Sequence, residues 1–208
     1  MNILKRAGNY FFWKLYTPVS SEFWLKINGD KKISIIKEGM QMFGDNVSTL
    51  EMGAAEGYIL RRLIIDGLVK NGVAFDILPD RLEKGKLRAK KEGISKNIKF
   101  ISGDGRTLPF NNNEFDIVML LDVLEHIHKK EDVIQALKEA NRVAKKGILI
   151  SIPHGNIKKF IDMDHIRVLL LHKNNWVYDP QMFQDELQKL SFRYQSISNI
   201  LGWYVIRK

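Results

Sequence analysis

Short apolar runs alternate with amphipathic stretches of helical length between Val47 and Ile152. This alternation predicts a parallel sheet whose strands are joined by crossover helices. The fourth apolar run is almost continuous, which indicates a strand buried on both faces of the sheet. The predicted strands are Val47 to Met52, Val73 to Ile77, Ile98 to Ile101, Phe115 to Leu121 and Ile148 to Ile152.

Helices are predicted between these strands. The first runs from about Glu56 to Asn71, with apolar residues at helical spacing and a stop at Gly72. The second begins at Pro79, which the first turn of a helix tolerates, and stops at Gly93. The third presents one apolar face, formed by Val133, Leu137, Ala140 and Ala144.

The regular pattern ends after Pro153, and we expect an irregular insertion over a site at about residues 154–178. A helix is then predicted from Pro180 to Leu190, and strands from Phe192 to Ser198 and from Trp203 to Arg207 form an antiparallel edge. The expected fold class is therefore α/β and Rossmann-like: a mostly parallel seven-stranded sheet with helices on both faces and an antiparallel C-terminal edge.

The segment before the sheet is rich in aromatic residues, since residues 1–24 hold seven of the 21 aromatic side chains in the chain. We predict a helical cap over residues 1–45 and a second domain over residues 46–208. Two sharper alternatives stay open for the cap. It is either a lid over a substrate pocket or a membrane-surface anchor assisted by nearby basic residues.

The amino-acid composition excludes several kinds of chemistry. The chain has 208 residues, enough for one core of ordinary stability, and no cysteine, which excludes disulfides, thiolate metal sites and thiol nucleophiles. Its charge-free apolar runs are far shorter than the ~20 residues that span a bilayer, and its start lacks a clean secretory apolar region. We therefore expect a cytoplasmic protein without a transmembrane segment.

Positive charge exceeds negative charge, with 33 lysines and arginines against 24 aspartates and glutamates, a net charge of +9. Most basic residues are scattered as pairs, which is typical of a solvated surface. The densest cluster, in residues 81–96, is of the kind that meets phosphates. A solvated lysine-rich helix and a nucleic-acid contact are the two interpretations of this cluster.

The residues that leave the first strand are the most informative, because ligands of open parallel sheets bind at the carboxyl ends of the strands. Residues 51–57 read EMGAAEG. A dinucleotide fingerprint would need glycines at 53, 55 and 58, but the chain has Gly53, Ala55 and Tyr58. The two glutamates of the segment would also repel a pyrophosphate. This acidic turn favours a ligand that carries positive charge, such as an ammonium or a sulfonium.

The pattern Glu51-x-Gly53-x-x-x-Gly57 resembles motif I of the class I S-adenosylmethionine-dependent methyltransferases, whose ligand carries both kinds of positive charge. The family usually has a second glycine where this chain has Ala55. Later landmarks are similar too, in the same order and at similar spacing, so that the resemblance covers about residues 46–153.

The resemblance implies a set of cofactor contacts at successive strand ends. Asp76 closes the second strand, where the family's acidic residue accepts both ribose hydroxyls, a task that suits an acceptor-only carboxylate. Asp104 stands in the turn after the third strand, where the family's aspartate accepts from the adenine amino group. The implied cofactor-binding residues are Glu51, Gly53, Ala54, Ala55, Gly57, Asp76, Ile77, Gly103, Asp104, Gly105 and Leu121.

The activity implied by the resemblance is methyl transfer from S-adenosyl-L-methionine, with S-adenosyl-L-homocysteine as product. We expect a small-molecule acceptor, because the chain has no spare domain for a macromolecule. RNA methylation is an alternative that the basic cluster supports. A catalytically silent relative that binds a partner through residues 1–24 is another, and the oligomeric state is not readable from the sequence.

Two histidines are candidate catalytic bases. Methyl transfer from a sulfonium is an in-line displacement of an activated donor, so alignment and deprotonation of the acceptor are the enzyme's main tasks. His126 and His154 each follow a strand predicted to end at the cofactor side, and histidine titrates near neutral pH.

A divalent metal is an alternative that we do not expect. Asp122, Glu125 and His126 have the spacing that would place them on one face of a helix beginning there. Carboxylates with histidine hold divalent ions, and methyltransferases of ubiquinone biosynthesis and of small-RNA ends carry a similar pattern. Those families have glutamate where this chain has Asp122, and we predict no metal ligands.

Overall fold

A computed structural model describes residues 32–127, 129–152, 179–198 and 202–208. One seven-stranded sheet organises them, with the strand order β3-β2-β1-β4-β5-β7-β6. The strands from β1 to β5 are parallel, whereas β7 runs antiparallel to both β5 and β6. The predicted fold class is confirmed. The strands are β1 (Val47–Met52), β2 (Val69–Asp76), β3 (Ile98–Ser102), β4 (Phe115–Leu121), β5 (Ala144–Ile152), β6 (Tyr194–Ser198) and β7 (Gly202–Arg207).

Helices cover both faces of the sheet, as the sequence pattern predicts. Because successive residues of a strand point to opposite faces, Val118 and Leu120 of β4 pack with α4 and α5, while Ile117 and Met119 pack with α1, α2 and α3. None of the helices in the described ranges combines the length and apolar character needed to cross a membrane. The helices are α1 (residues 32–41), α2 (Tyr58–Ile65), α3 (Pro79–Lys91), α4 (Lys130–Val143) and α5 (Pro180–Lys189), with a 3₁₀ helix at Leu124–His126.

The first crossover is shorter than the sequence predicts, and the predicted helix to Asn71 and strand start at Val73 are wrong. Helix α2 ends at Ile65 because Gly67 adopts a left-handed φ of 76°, which turns the chain into β2. Gly72, the predicted stop, lies inside β2. A Cβ atom there would lie 2.8 Å from Leu60, so this glycine lets α2 pack closely on the strand.

Helix α4 ends one residue before Ala144, which the apolar spacing assigned to its buried face. Ala144 takes an extended backbone (φ −75°, ψ 138°) and pairs with Phe115 as the first residue of β5. Ala144 would be buried either as the last residue of the helix or as the first residue of the strand. The spacing of apolar residues therefore does not distinguish between these two assignments. At the C-terminus the bounds agree within two residues, and the Asp179 carboxylate caps α5 by accepting from the Met182 N–H at 3.0 Å.

Helix α1 is the described part of the predicted N-terminal cap, and it packs against the sheet. Ile33, Ile36 and Met40 are buried in the same apolar cluster as Leu149 and Trp203. Residues 1–31, the predicted insertion at 154–178 and His154 lie outside the described residues. The boundary between cap and domain at residue 45 stays a prediction.

Candidate functional site

Four neighbouring strands end at one edge of the sheet, and this edge gathers the described residues of the predicted site. Because β3, β2, β1 and β4 are adjacent and parallel, the loops that follow Ser102, Asp76, Met52 and Leu121 lie side by side. The strand order reverses at β1, with β2 on one side and β4 on the other. Ligands of open α/β sheets bind in the crevice at such a point.

The loop after β1 is held tightly against the neighbouring strand tips. The N–H groups of Gly53 and Ala54 both donate to the Phe75 carbonyl, at 2.8 and 3.2 Å. Gly53 has a left-handed φ of 73°, and a Cβ atom there would lie 2.3 Å from Cγ2 of Val123, in the loop after β4. Glycine is therefore required at 53 both by the backbone and by the close approach of a second loop.

Two further residues of this loop are left-handed. Gly57 has a φ of 63° and donates its N–H to the Ala54 carbonyl at 2.7 Å. Ala55 has a φ of 50°, at the position where the resembling family usually has glycine. The loop thus keeps a glycine-like path although alanine costs more than glycine in this conformation.

Asp76 joins the loops after β1 and β2. Its carboxylate accepts from the Ala55 N–H at 2.7 Å and from the Leu78 N–H at 2.8 Å, one bond to each oxygen. Burial nevertheless raises the pKa of Asp76, because the backbone hydrogen bonds offset only part of the cost of desolvation. Each oxygen keeps acceptor capacity, so the group can take hydrogen bonds from a vicinal diol.

Glu51 is a buried carboxyl group directly before the loop. Only 5% of the residue is exposed, and one of its oxygens accepts from the Leu60 N–H at 3.3 Å. Burial raises the pKa of Glu51 to about 8, against the opposing effects of that hydrogen bond and of Lys32. A cation bound beside Glu51 would favour its ionised form, so the group is suited to a positively charged ligand.

The Asp104 carboxylate binds Arg106, a residue that the sequence analysis did not single out. Arg106 donates from Nε to Oδ1 at 2.9 Å and from Nη2 to Oδ2 at 2.6 Å, and it also pairs with Asp132 at the start of α4. The signal was the Asp-x-Arg spacing, which lets the arginine fold back onto the aspartate. The adenine contact predicted for Asp104 stays a prediction, and it would have to share this carboxylate with Arg106.

The remaining residues predicted to contact the cofactor are two glycines after β3 and two apolar residues, at the ends of β2 and β4. Gly103 and Gly105 let the turn after β3 lie close to the sheet, since Cβ atoms there would lie 2.4 Å from the Phe75 ring and 3.0 Å from Met52. Ile77 is 49% exposed, which leaves an apolar surface at this edge, whereas Leu121 is buried at the end of β4.

The turn after β4 does not form the helix that would align the predicted acid and histidine positions. Asp122 has a left-handed φ of 50°, and its N–H donates to the carbonyl and hydroxyl oxygens of Ser151, each at 3.1 Å. The 3₁₀ helix starts only at Leu124, so Asp122 shares no helical face with Glu125 and His126. Among the described residues, no three acidic, histidine or cysteine side chains are grouped to hold a metal ion.

Glu125 is the least satisfied carboxyl group at this edge. It is fully buried, and in the described part of the chain neither of its oxygens has a hydrogen-bond partner. Burial raises its pKa well above the ordinary value, and the negative charge of Asp122 adds to that effect. His126, the predicted base, follows it at the end of the 3₁₀ helix and is partly buried.

Comparisons with known proteins match the same part of the chain. Residues 50–152 fit the model of a family described as a methyltransferase domain. The ubiquinone/menaquinone biosynthesis C-methyltransferase of Shewanella baltica is 26% identical over 175 residues, which cover 81% of this chain and 61% of that protein. The enzyme of the same name from Ectopseudomonas mendocina is 32% identical over 148 residues, covering 71% of this chain and 49% of the relative. The chain thus spans about half to three fifths of the length of these curated relatives.

Solved structures share the fold at lower identity. A protein from Pyrococcus horikoshii superposes with a TM-score of 0.64 at 19% identity, covering 90% of this chain and 92% of that one. An S-adenosylmethionine-dependent methyltransferase from Methanosarcina mazei gives a TM-score of 0.63 at 17% identity, covering 83% and 95%. At this identity the likeness concerns the architecture of the sheet and its helices.

Proposed function

Because the chain belongs to the class I S-adenosylmethionine-dependent methyltransferases, we propose that it transfers the methyl group of S-adenosylmethionine to a small-molecule acceptor. The observation that carries this proposal is the pair of buried carboxyl groups, Glu51 and Asp76, on either side of a left-handed loop at the switch point of the sheet. Buried carboxyl groups without a full complement of partners gain most from a ligand that brings cations and hydroxyl donors.

The donor site is assigned from the chemistry of each side chain. Glu51 faces the positively charged methionine end, where its ionised form would be stabilised. Asp76 accepts from the two ribose hydroxyls while keeping its bonds to the loop backbones. The exposed face of Ile77 gives the adenine ring an apolar surface, and Asp104 is the acceptor for its amino group.

When bound, S-adenosylmethionine supplies a methyl group attached to a positively charged sulfur. The sulfur is a good leaving group because it becomes a neutral thioether when the methyl group is transferred. The chain's own task is then to align the acceptor and to remove its proton. We assign the proton acceptor to His126, which follows β4 at the switch-point edge. His154 keeps its predicted role as a second candidate.

The small-molecule acceptor is supported by the relatives, which are named as C-methyltransferases of ubiquinone and menaquinone biosynthesis. At 26–32% identity to these enzymes, we propose a small-molecule acceptor that is methylated at carbon, oxygen or nitrogen.

Calorimetric titration with S-adenosylhomocysteine tests the donor site. We expect the wild-type protein to bind, and Asp76→Ala to bind at least about tenfold more weakly, because hydrogen bonds to a charged acceptor contribute about 1.5–3 kcal/mol each. Asp116→Ala is the matched control. Its carboxylate also accepts from a backbone N–H, that of Ser48 at 2.9 Å, but at the opposite end of β4.

Circular dichroism spectra must show that both variants keep the fold, since Asp76 also ties two loops together. Absence of binding by the wild type, or equal binding by wild type and Asp76→Ala, would contradict the proposed donor site. Turnover of labelled donor with an acceptor would exclude the alternative of a catalytically silent binding protein.

A further inference from the structure

Lys32 brings a positive charge from the N-terminal side of the chain to the carboxyl edge of the sheet. Its ammonium group pairs with the Asp122 carboxylate, and only 16% of the lysine side chain is exposed. The same helix, α1, is anchored in the core by Ile33, Ile36 and Met40. Lys32 is therefore held at this edge by the packing of the helix that carries it.

The ammonium of Lys32 acts on three carboxyl groups of this edge. Besides its contact with Asp122, the positive charge of Lys32 acts on both Glu51 and Glu125, where it favours the ionised forms against burial. The second oxygen of Asp122 is occupied by the Ser151 hydroxyl, which donates to it at 2.6 Å. Lys32 is thus a counter-ion that α1 supplies to the acidic edge, in addition to the arginines that act on Glu51 and Asp76.

We propose that Lys32 is a specificity-determining residue of the donor site, whose fixed positive charge opposes the charged sulfonium of S-adenosylmethionine but not the neutral thioether of S-adenosylhomocysteine. This inference rests on the proposed function. Like charges that meet in a partly desolvated site repel each other, whereas a neutral sulfur has no net charge to be repelled. The ammonium and carboxylate of the two ligands are the same, so only the sulfur distinguishes them.

The same repulsion favours the methyl-transfer step. As the methyl group leaves, the positive charge on sulfur disappears, so repulsion from Lys32 is relieved between the bound donor and the transition state. An interaction that becomes more favourable on the way to the transition state raises the rate constant at saturating donor. Lys32 therefore lowers affinity for the donor and increases the rate of the step that follows.

The test compares the affinities of both ligands by calorimetry, in the wild-type chain of 208 residues and in Lys32→Met. We expect Lys32→Met to bind S-adenosylmethionine about five- to tenfold more tightly, while S-adenosylhomocysteine binding changes by less than about twofold. Lys32→Arg keeps the charge and should keep the wild-type ratio of the two affinities. Lys32→Gln is a second neutral variant in case Lys32→Met does not fold.

Lys37→Met is the matched control, because Lys37 lies on the same helix and its ammonium pairs with Asp66 at 2.9 Å, at the end of α2. It should leave the ratio unchanged. If Lys32→Met and Lys32→Gln weaken both ligands equally, Lys32 binds the carboxylate that the ligands share and the proposal is overturned. An unchanged ratio overturns it as well. If the wild type binds neither ligand, the proposed function itself fails, which is distinct from binding with an unaltered ratio.

Discussion

Glu51 carries a pH dependence that binding experiments can detect. With its pKa raised to about 8 by burial, Glu51 is mostly protonated at neutral pH in the ligand-free protein. A cation beside it favours the ionised form, so donor binding releases a proton and the affinity increases with pH up to about 8. Between pH 6 and pH 7 this amounts to a gain of roughly tenfold, as expected for one proton released.

The measured quantity is the ratio of wild-type affinity to Glu51→Gln affinity at each pH. The glutamine keeps the shape of the side chain but cannot titrate, so contributions from histidines and from the donor's own α-amino group cancel in the ratio. A ratio that stays flat between pH 6 and pH 7 would show that Glu51 does not change protonation on binding.

The same group makes the free protein less stable as pH rises. The folded pKa of about 8 lies above the ordinary value of 4.5, so the folded state holds a proton that the unfolded state releases. The stability is fully present below pH 4.5 and is lost as pH rises towards 8, by on the order of 3 kcal/mol at pH 7. Asp76 and Glu125 also have raised pKa values and titrate in both proteins. Urea denaturation at pH 4.5 and pH 7 should therefore show a loss that is about 3 kcal/mol smaller in Glu51→Gln than in the wild type.

At this scale the sequence predicted the place of residues that lie at the end of a strand. Asp76 could be found because it ends a strand that neighbours the first. Lys32 could not, because it meets Asp122 across 90 positions of sequence and only the packing of α1 brings them together. The burial of Glu125 and the ion pair between Arg106 and Asp104 likewise depend on the conformation of loops. No local sequence pattern predicts these conformations.

The contact between the loops after β1 and β4 predicts an unusual cost for one substitution. Gly53→Ala adds a Cβ atom at a left-handed φ and places it 2.3 Å from Val123. We expect a loss of about 2–4 kcal/mol in the free energy of unfolding, from backbone strain and overpacking together. Gly67→Ala has a similar φ of 76° with no atom within 4 Å of the new Cβ, and it should cost only about 1–2 kcal/mol.

Val123→Ala separates the two contributions. We expect the double variant Gly53→Ala/Val123→Ala to lose at least about 1 kcal/mol less free energy of unfolding than the sum of the two single losses. Urea denaturation of all four proteins in a double-mutant cycle measures this difference. Simple additivity of the two substitutions, or equal costs for Gly53→Ala and Gly67→Ala, would show that the loops do not press on each other.

Elements with one clear pattern were predicted well, and ambiguous junctions were not. β4 is apolar on both faces and was found with its observed bounds, Phe115–Leu121. The segment from Leu68 to Asn71 fits either a continued helix or an early strand, and the left-handed turn at Gly67 decided for the strand. Periodicity records which residues are buried, but the backbone turn determines which element buries them.

The burial of α1 predicts that the sheet needs this helix to fold, and a pair of truncations tests this. A chain of residues 46–208, which follows the boundary suggested by the sequence, loses three buried side chains, Ile33, Ile36 and Met40, and the packing of α1 on Leu149. At about 2 kcal/mol for each buried apolar side chain, the loss is about 6 kcal/mol, comparable with the whole stability of many domains.

A chain of residues 32–208 keeps these contacts. We expect it to unfold in urea in a single cooperative transition and to retain donor binding, whereas residues 46–208 should show little cooperative unfolding by circular dichroism. If the free energies of unfolding of the two chains differ by less than about 1 kcal/mol, α1 is not needed for the stability of the core. Lys32 would then lack the rigid support that fixes its charge at the acidic edge, so this comparison also examines the premise on which the specificity of the donor site depends.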